Sequence, residues 1–394
     1  MSEYPTNYTI SWKNSITDIS KQEWNQLALH QSSPFLEWDW LRLLEESGSA
    51  TPSTGWIPQH LTIWKDAKLL AAAPLYIKRH SAGEFVFDNI WAEAAYKLGI
   101  PYYPKMLGMA PFTPAGHYRF LIAPGEDEYS LTSLLSKRIQ GFCKSRGIAG
   151  WKLDFVSPAW KEIMLEQGFK SWTHQGFGWN NKGFKTFEDF LALFSSNQRR
   201  NIKRERKAMH KQGIVFRFRE AEEIDHELME TMYQLYLRTN AKYAPWNCLF
   251  LTREFFHGLA SDFDQRILLL TATYEHSPEN ILAMAMFVYK DDQLFGRYWG
   301  SFSSIDFLHF NVCYYQPIEW AIQSGINFFD PGIGAEHKLR RGFTARRFYS
   351  LHKFFHPDLQ SLFSNYIEAI NMLTNNQIQA LNLQAPFTEN SQDR

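Results

Sequence analysis

Cysteine is scarce in this chain. Cys143, Cys248 and Cys313 are the only three, an odd and widely spaced set with no C-x-x-C pair. That excludes a disulfide framework and a structural zinc site, and it fits free thiols in a reducing compartment. Net charge is absent too, since 41 lysines and arginines balance 41 aspartates and glutamates. Whole-molecule electrostatics therefore gives no reason to expect nucleic acid or a membrane, and an anionic partner has to be sought in local clusters. No window reaches the ~18 apolar residues of a spanning helix, and the opening "MSEYPTNYTISWKNS" has no basic region followed by an apolar stretch. The expected location is cytoplasmic. The H-E-x-x-H, EF-hand and G-x-S-x-G patterns are missing, so no metal site and no serine-hydrolase elbow is expected.

What remains is a chain of 394 residues, longer than one hydrophobic core usually serves, so two domains are expected. A pass along the sequence finds the same order of elements twice. In the first half a strand at 8–15 precedes helical spacing at 21–29 and 35–46, the latter behind a Ser33-Pro34 start. A hairpin then turns at Lys65-Asp66-Ala67-Lys68, a helix at 131–146 stops at Gly147, "WKLDFV" reads as a buried strand, and a short helix ends at Gly168-Phe169. In the second half "IVFRFRE" is strand-like and 224–239 and 252–261 are helical. A strand meander follows, then a helix at 311–324 stops at Gly325, "INFFD" forms a strand, and a short helix ends at Gly342-Phe343. Two α/β halves in one order point to an internal duplication. Boundaries fall at 1–180, 181–360 and a C-terminal helix with a flexible tail at 361–394.

The copies share their folding devices but differ in chemistry. Where the first has Trp160-Lys161-Glu162-Ile163, the second has Glu336-His337-Lys338-Leu339. Duplicated architecture alone does not demand those ionisable residues, so the second half is the expected seat of the site.

The segments "YYPKMLGMAPFTPAG", "FSSNQRRNIKRERK", "YLRTNAKY…FLTREFF", "GRYWG", "CYYQPIEWAI" and "GAEHKLRRGF" together resemble the FemAB-like predicted N-acyltransferase family, over most of the chain from about Tyr102 to Phe355. The resemblance implies a mixed α/β fold of tandem GNAT-like acyltransferase domains related to the Fem-type aminoacyl transferases. It also implies transfer of an acyl or aminoacyl group to a small-molecule or peptide amine, such as a peptidoglycan precursor. One departure bears on the donor. Acetyl-CoA-dependent GNAT proteins hold pyrophosphate on a Gly-rich turn at a helix N-terminus. Neither "FLHFNVCYYQP" nor "GEDEYSLTSLL" offers that turn. Aminoacyl-tRNA is accordingly favoured over acetyl-CoA, with no tightly bound cofactor.

Candidate residues follow from the chemistry. Asp330-Pro331-Gly332 ends the strand "INFF", and ligands of α/β proteins collect at the carboxyl ends of core strands. Amide formation needs a base for the attacking amine and donors for the tetrahedral oxyanion. His337 or Glu336 fills the first role, with Tyr315 as a phenol proton donor. Lys338 and Arg341 bind a carboxylate or phosphate or stabilise negative charge. An ion-pair knot that merely closes the turn onto the sheet is the structural alternative. By the resemblance, Tyr298 and Trp299 of "GRYWG" line the donor cleft, Tyr314 and Gln316 contact substrate, and Arg238 and Lys242 contact the acceptor. The helix "NQRRNIKRERKAMHKQG" carries Arg199, Arg200, Lys203, Arg206 and Lys207 opposite Phe194, Ile202 and Met209. Its basic side suits a tRNA stem, a nucleotide-linked precursor or an anionic membrane surface, unless it is simply a solvated face. A non-catalytic recognition module of the same fold is the competing reading.

Overall fold

The computed structural model describes residues 8–242, 248–334 and 336–388. The tail expected after the last helix falls largely at 389–394, outside the described residues, as do positions 243–247 of the Arg238–Lys242 loop. The chain divides into two compact units, Met1–His174 with Arg347–Asn375, and Gln175–Arg346 with Asn376–Arg394.

The first unit runs β1 (Thr9–Lys13), α1 (Lys21–Ala28), α2 (Trp38–Glu46), β2 (Trp56–Pro58), β3 (His60–Lys65), β4 (Lys68–Ala73), β5 (Tyr76–Lys78), α3 (Asn89–Lys97), β6 (Lys105–Gly108), β7 (Leu121–Ile122), α4 (Glu128–Ser145), β8 (Gly150–Leu153) and α5 (Pro158–Glu166). The next strand, β9 (Lys170–Asn180), carries the chain into the second unit. There follow α6 (Phe187–Leu191), α7 (Ser196–Lys211), β10 (Ile214–Glu220), α8 (His226–Ala241), α9 (Arg253–Asp262), β11 (Ile267–Tyr274), β12 (Ser277–Lys290), β13 (Gln293–Ser301), α10 (Leu308–Phe310), α11 (Gln316–Gln323) and β14 (Phe328–Asp330). β15 (Thr344–Phe354) leads back, and α12 (Pro357–Leu383) belongs to both. No helix of the described residues is long and apolar enough to cross a membrane.

Local chemistry explains most of these elements. The expected β3–β4 hairpin turns on Asp66 and Ala67, both at positive φ, the turn geometry whose twist matches that of the strands. Helix α8 starts where the Asp225 carboxylate accepts the Leu228 N–H at 2.9 Å. The Ser33-Pro34 start gives only the short turn Pro34–Leu36, because Glu37 is extended and α2 begins at Trp38. β11 is buried along nearly all its length, as its unbroken apolar run requires.

Each unit contains a parallel strand pair. In the first, β6 pairs with β8 from Lys105↔Gly150 to Gly108↔Leu153. In the second, an antiparallel meander β10-β11-β12-β13 ends in a parallel pair, β13 with β14, from Gln293↔Phe328 to Phe295↔Asp330. The pairing of β14 with β13 ends at Asp330, while β13 continues beside β12 as far as Ser301. Asp154 and Asp330 occupy matching places in the two copies, and both are buried. The core of the second unit is dense in aromatics, with Trp179, Phe190, Phe194, Tyr315, Phe329 and Phe343 packed together. Gly342 belongs to that packing: its φ is +92°, and a Cβ there would meet the Phe190 ring at 2.5 Å.

Candidate active site

The site is built on three short pieces of the second unit. After β14 the Gly332 N–H donates to Asp330 Oδ1 at 2.8 Å, and the following turn, Glu336–Arg341, folds Lys338 back over it. Lys338 Nζ donates to the carbonyls of Gly332 at 2.6 Å and Pro331 at 3.4 Å, and the side chain is buried. Burial pulls its ammonium down to about 8, only partly opposed by Asp330. Burial likewise pushes the Asp330 carboxyl upward, against the Gly332 N–H and the Lys338 charge.

The second piece is a π-helical turn over Asn311–Tyr315, where the helix expected at 311–324 carries one residue too many per turn and the Gln316 N–H reaches back to Asn311 O. It presents two consecutive tyrosines, which a helix points in different directions. Tyr314 Oη lies 2.9 Å from His337 Nε2 and 3.2 Å from His309 Nε2. Burial lowers His309 to about 3. It also lowers His337 below the ordinary histidine range, helped by the nearby Arg341 and Lys338 charges. Both imidazoles are therefore neutral at pH 7. A single phenol proton serves one ring at a time, so the other ring must donate to the phenol oxygen. The His309 ring also packs on Trp299, centroids 4.2 Å apart.

The third piece is α7. Tyr315 Oη donates to Glu205 Oε2 at 2.5 Å, and Arg341 Nη2 stands 3.3 Å from Glu205 Oε1. The Arg341 guanidinium lies 3.5 Å from the centroid of the Phe310 ring, and its Nη1 donates to His337 O at 3.1 Å. Arg341 and Glu205 are both buried. This is an ion-pair knot, and through the His337 carbonyl it fixes the turn that carries the imidazole. In the sequence Glu205 is the lone acid of the basic segment "NQRRNIKRERKAMHKQG". The signal was its place three residues after Ile202 and four before Met209, on the stripe that faces inward.

The structure thus brings together His337, Tyr314, Trp299 and Lys338, with Tyr315 and Arg341 in the knot behind them. Glu336 is exposed at the start of the turn, and Gln316 is half-buried one residue after Tyr315. Strand alternation sends Tyr298 to the face opposite Trp299, where it packs on Tyr236 and Phe256. Arg238 donates to the carbonyls of Ser301 and Phe302, at 3.1 and 3.3 Å, and pins α8 to the end of β13. Lys242 is exposed at the end of α8. On α7, Lys203 pairs with Glu188 at 2.9 Å, and Arg206 pairs with Glu319 while stacking 4.1 Å from the centroid of the Phe187 ring. Arg200 and Lys207 are exposed and Arg199 is half-buried.

A profile of the FemAB-like family, described as peptidoglycan biosynthesis/recognition, matches residues 15–389. The chain belongs to the FemAB-like family. Among solved structures this FemAB-like protein is similar to FemX, with 12% identity, 88% of this chain and 98% of that chain covered, and a TM-score of 0.54. A C-terminal domain (DUF2156) from Agrobacterium fabrum gives 9% identity, coverage of 89% and 95%, and a TM-score of 0.54. A tandem GNAT protein from the clavulanic acid biosynthesis pathway follows at 8% identity, coverage of 89% and 99%, and a TM-score of 0.45. No curated protein matches the chain. The fold is a mixed α/β one, similar to that of FemX.

Proposed function

We propose that this FemAB-like protein is an aminoacyl transferase that moves an aminoacyl group from an ester donor to a primary amine, the acceptor being a peptidoglycan precursor or a related peptide. The observation that carries this reading is Tyr314 bridging two neutral imidazoles on a turn whose next residue is a buried ammonium. The acceptor nitrogen attacks the ester carbonyl and loses a proton to His337, a base already in its neutral form. Lys338, held at the carboxyl end of the core strand, faces the developing oxyanion. Collapse of the tetrahedral intermediate breaks the ester C–O bond, and the imidazolium returns its proton to the leaving hydroxyl. The Tyr315–Glu205–Arg341 knot holds the turn rather than touching substrate.

The donor favoured is aminoacyl-tRNA rather than acetyl-CoA. The helix entry that would cradle a pyrophosphate is filled by Phe307, Leu308, His309 and Phe310, and the Asn311 amide is spent on the carbonyls of Glu205 at 3.2 Å and Phe307 at 3.0 Å. Arg200 and Lys207, exposed on α7, are the residues best placed to meet tRNA phosphates. The test is transfer of a radiolabelled amino acid to a lysine-containing muropeptide, with charged tRNA and acetyl-CoA offered separately. Label in the peptide from charged tRNA alone supports the reading; binding of the peptide without transfer from either donor favours a recognition module.

A further inference from the structure

The last helix, α12, carries two apolar stripes. One is buried: Leu359, Phe363 and Ile367 in the first unit, Ile378 and Leu381 in the second. The amide of Asn371 ties the helix to β9, donating to Ser171 O at 2.8 Å and accepting the Thr173 N–H at 2.7 Å. The other stripe is Leu362, Tyr366, Ala369, Leu373, Asn376, Ala380 and Leu383, alternately four and three residues apart. At about 100° per residue these seven share one arc of about 100°, centred about 100° around the helix from Phe363. Leu362 is half-buried and the other six are exposed. Tyr366 is 58% exposed, Leu373 70% and Leu383 77%, so the stripe is an apolar face without a partner in its own chain.

Alternating steps of four and three are the a and d places of three heptads, the seam along which one helix packs on another. Asn376 is its one polar member, a placement that sets register at some cost in stability. Charge says what covers the seam. Among residues 357–383 only Asp358 and Glu368 are charged, and there is no lysine or arginine. Helices that lie on a lipid surface carry Lys and Arg on their polar face, and a charged partner would find no counter-ion here. A second copy of the same uncharged face meets neither repulsion nor an unpaired ion. The sizes agree. In an antiparallel pair centred on Leu373, Tyr366 lies opposite Ala380, Ala369 opposite Asn376 and Leu362 opposite Leu383, so the bulky ring meets a small residue. In a parallel pair Tyr366 would crowd its own copy, and Ala369 and Ala380 facing theirs would leave gaps.

We propose that α12 joins two copies of this chain as an antiparallel coiled coil along the 362–383 seam. The pairing does not rest on the transferase reading. Sedimentation velocity of the full chain from about 1 to 100 µM tests it, because a seam about 32 Å long lies near the lower limit of specific interfaces and suits a dissociation constant on the order of micromolar. A monomer–dimer equilibrium is expected, weakened at least about tenfold in Leu373→Asp and in Tyr366→Asp. Both variants should melt as the wild type does, since the side chains are exposed. Val215→Asp, at an exposed apolar position of β10, must dimerise like the wild type. On mild oxidation Leu373→Cys should lock the dimer through a disulfide, whereas Leu383→Cys, about 30 Å from its copy in an antiparallel pair, should not. A chain that stays monomeric throughout, a dimer undiminished by Leu373→Asp, or cross-linking through Leu383→Cys rather than Leu373→Cys overturns the proposal. So does a monomer that sediments with phosphatidylcholine vesicles, which would give the face to lipid.

Discussion

Tyr314 Oη stands 2.9 Å from His337 Nε2, and the same oxygen is 3.2 Å from His309 Nε2. One phenol thus ties a turn at the end of the core strand to the neighbouring helix, in a unit where an imidazole so placed can take up a proton at neutral pH.

If His337 is the base, His337→Ala lowers the transfer rate by roughly 10²–10⁴-fold, the usual worth of a positioned base. Tyr314→Phe, which keeps the ring and its packing, gives a smaller loss. Thermal melting of both variants should stay near that of the wild type, because the knot behind them is untouched.

The pH profile has a definite sign. The imidazole works in its neutral form, and its folded pKa lies below the ordinary histidine value of about 6.5 because of burial and the Arg341 and Lys338 charges. Transfer should therefore hold steady from neutral pH down through that value and fall only at lower pH. A profile that already falls as pH drops through about 7 would assign the proton to another group.

Glu205→Gln removes the charge that neutralises Arg341 and leaves a guanidinium buried with a neutral partner. Breaking one side of a buried pair costs about 3–5 kcal/mol. Chemical denaturation followed by circular dichroism should show a loss of that size, with activity falling as the His337 turn loosens.

Lys338 predicts a stability change at the alkaline end. Its folded pKa of about 8 lies below the unfolded value of about 10.4, so between these the unfolded chain holds more protons and stability rises with pH. Denaturation midpoints should therefore show the wild type gaining on Lys338→Met as pH rises from about 8 towards 10.

In the first unit Asp88 is held well below the ordinary carboxylate range by Lys152 and Lys105, which outweigh the opposing effect of burial. The stability it contributes is present above its unfolded pKa of about 3.9 and is lost as pH falls below that. Asp88→Asn should flatten the acid limb of the unfolding curve while lowering stability at pH 7.

Much of this was legible in the letters. Gly147 and Gly325, both at positive φ, stop the two helices where the spacing said they would, and "WKLDFV" and "INFFD" overlap the two core strands at 151–153 and 328–330. Those features are local: a turn conformation, an apolar run, a helix period. The Glu-His-Lys triplet was visible as chemistry, but not its division of labour. Nothing in the order Tyr314-Tyr315 says that a π-helical turn sends one hydroxyl to His337 and the next to Glu205, more than a hundred residues earlier. The charged cluster of the first unit was hidden for the same reason, since Glu84, Asp88, Lys105 and Lys152 meet only through the sheet. The one trace was a lysine and an aspartate two residues apart within an apolar strand.

The most direct test of the central claim is a single-turnover assay with charged tRNA and a lysine-containing muropeptide, run on the wild type, His337→Ala and Glu336→Gln with their melting curves. The account predicts transfer by the wild type and Glu336→Gln, a loss of at least about 10²-fold in His337→Ala, and similar melting for all three. Equal transfer by His337→Ala, or a loss matched by a collapse of its melting temperature, would contradict it.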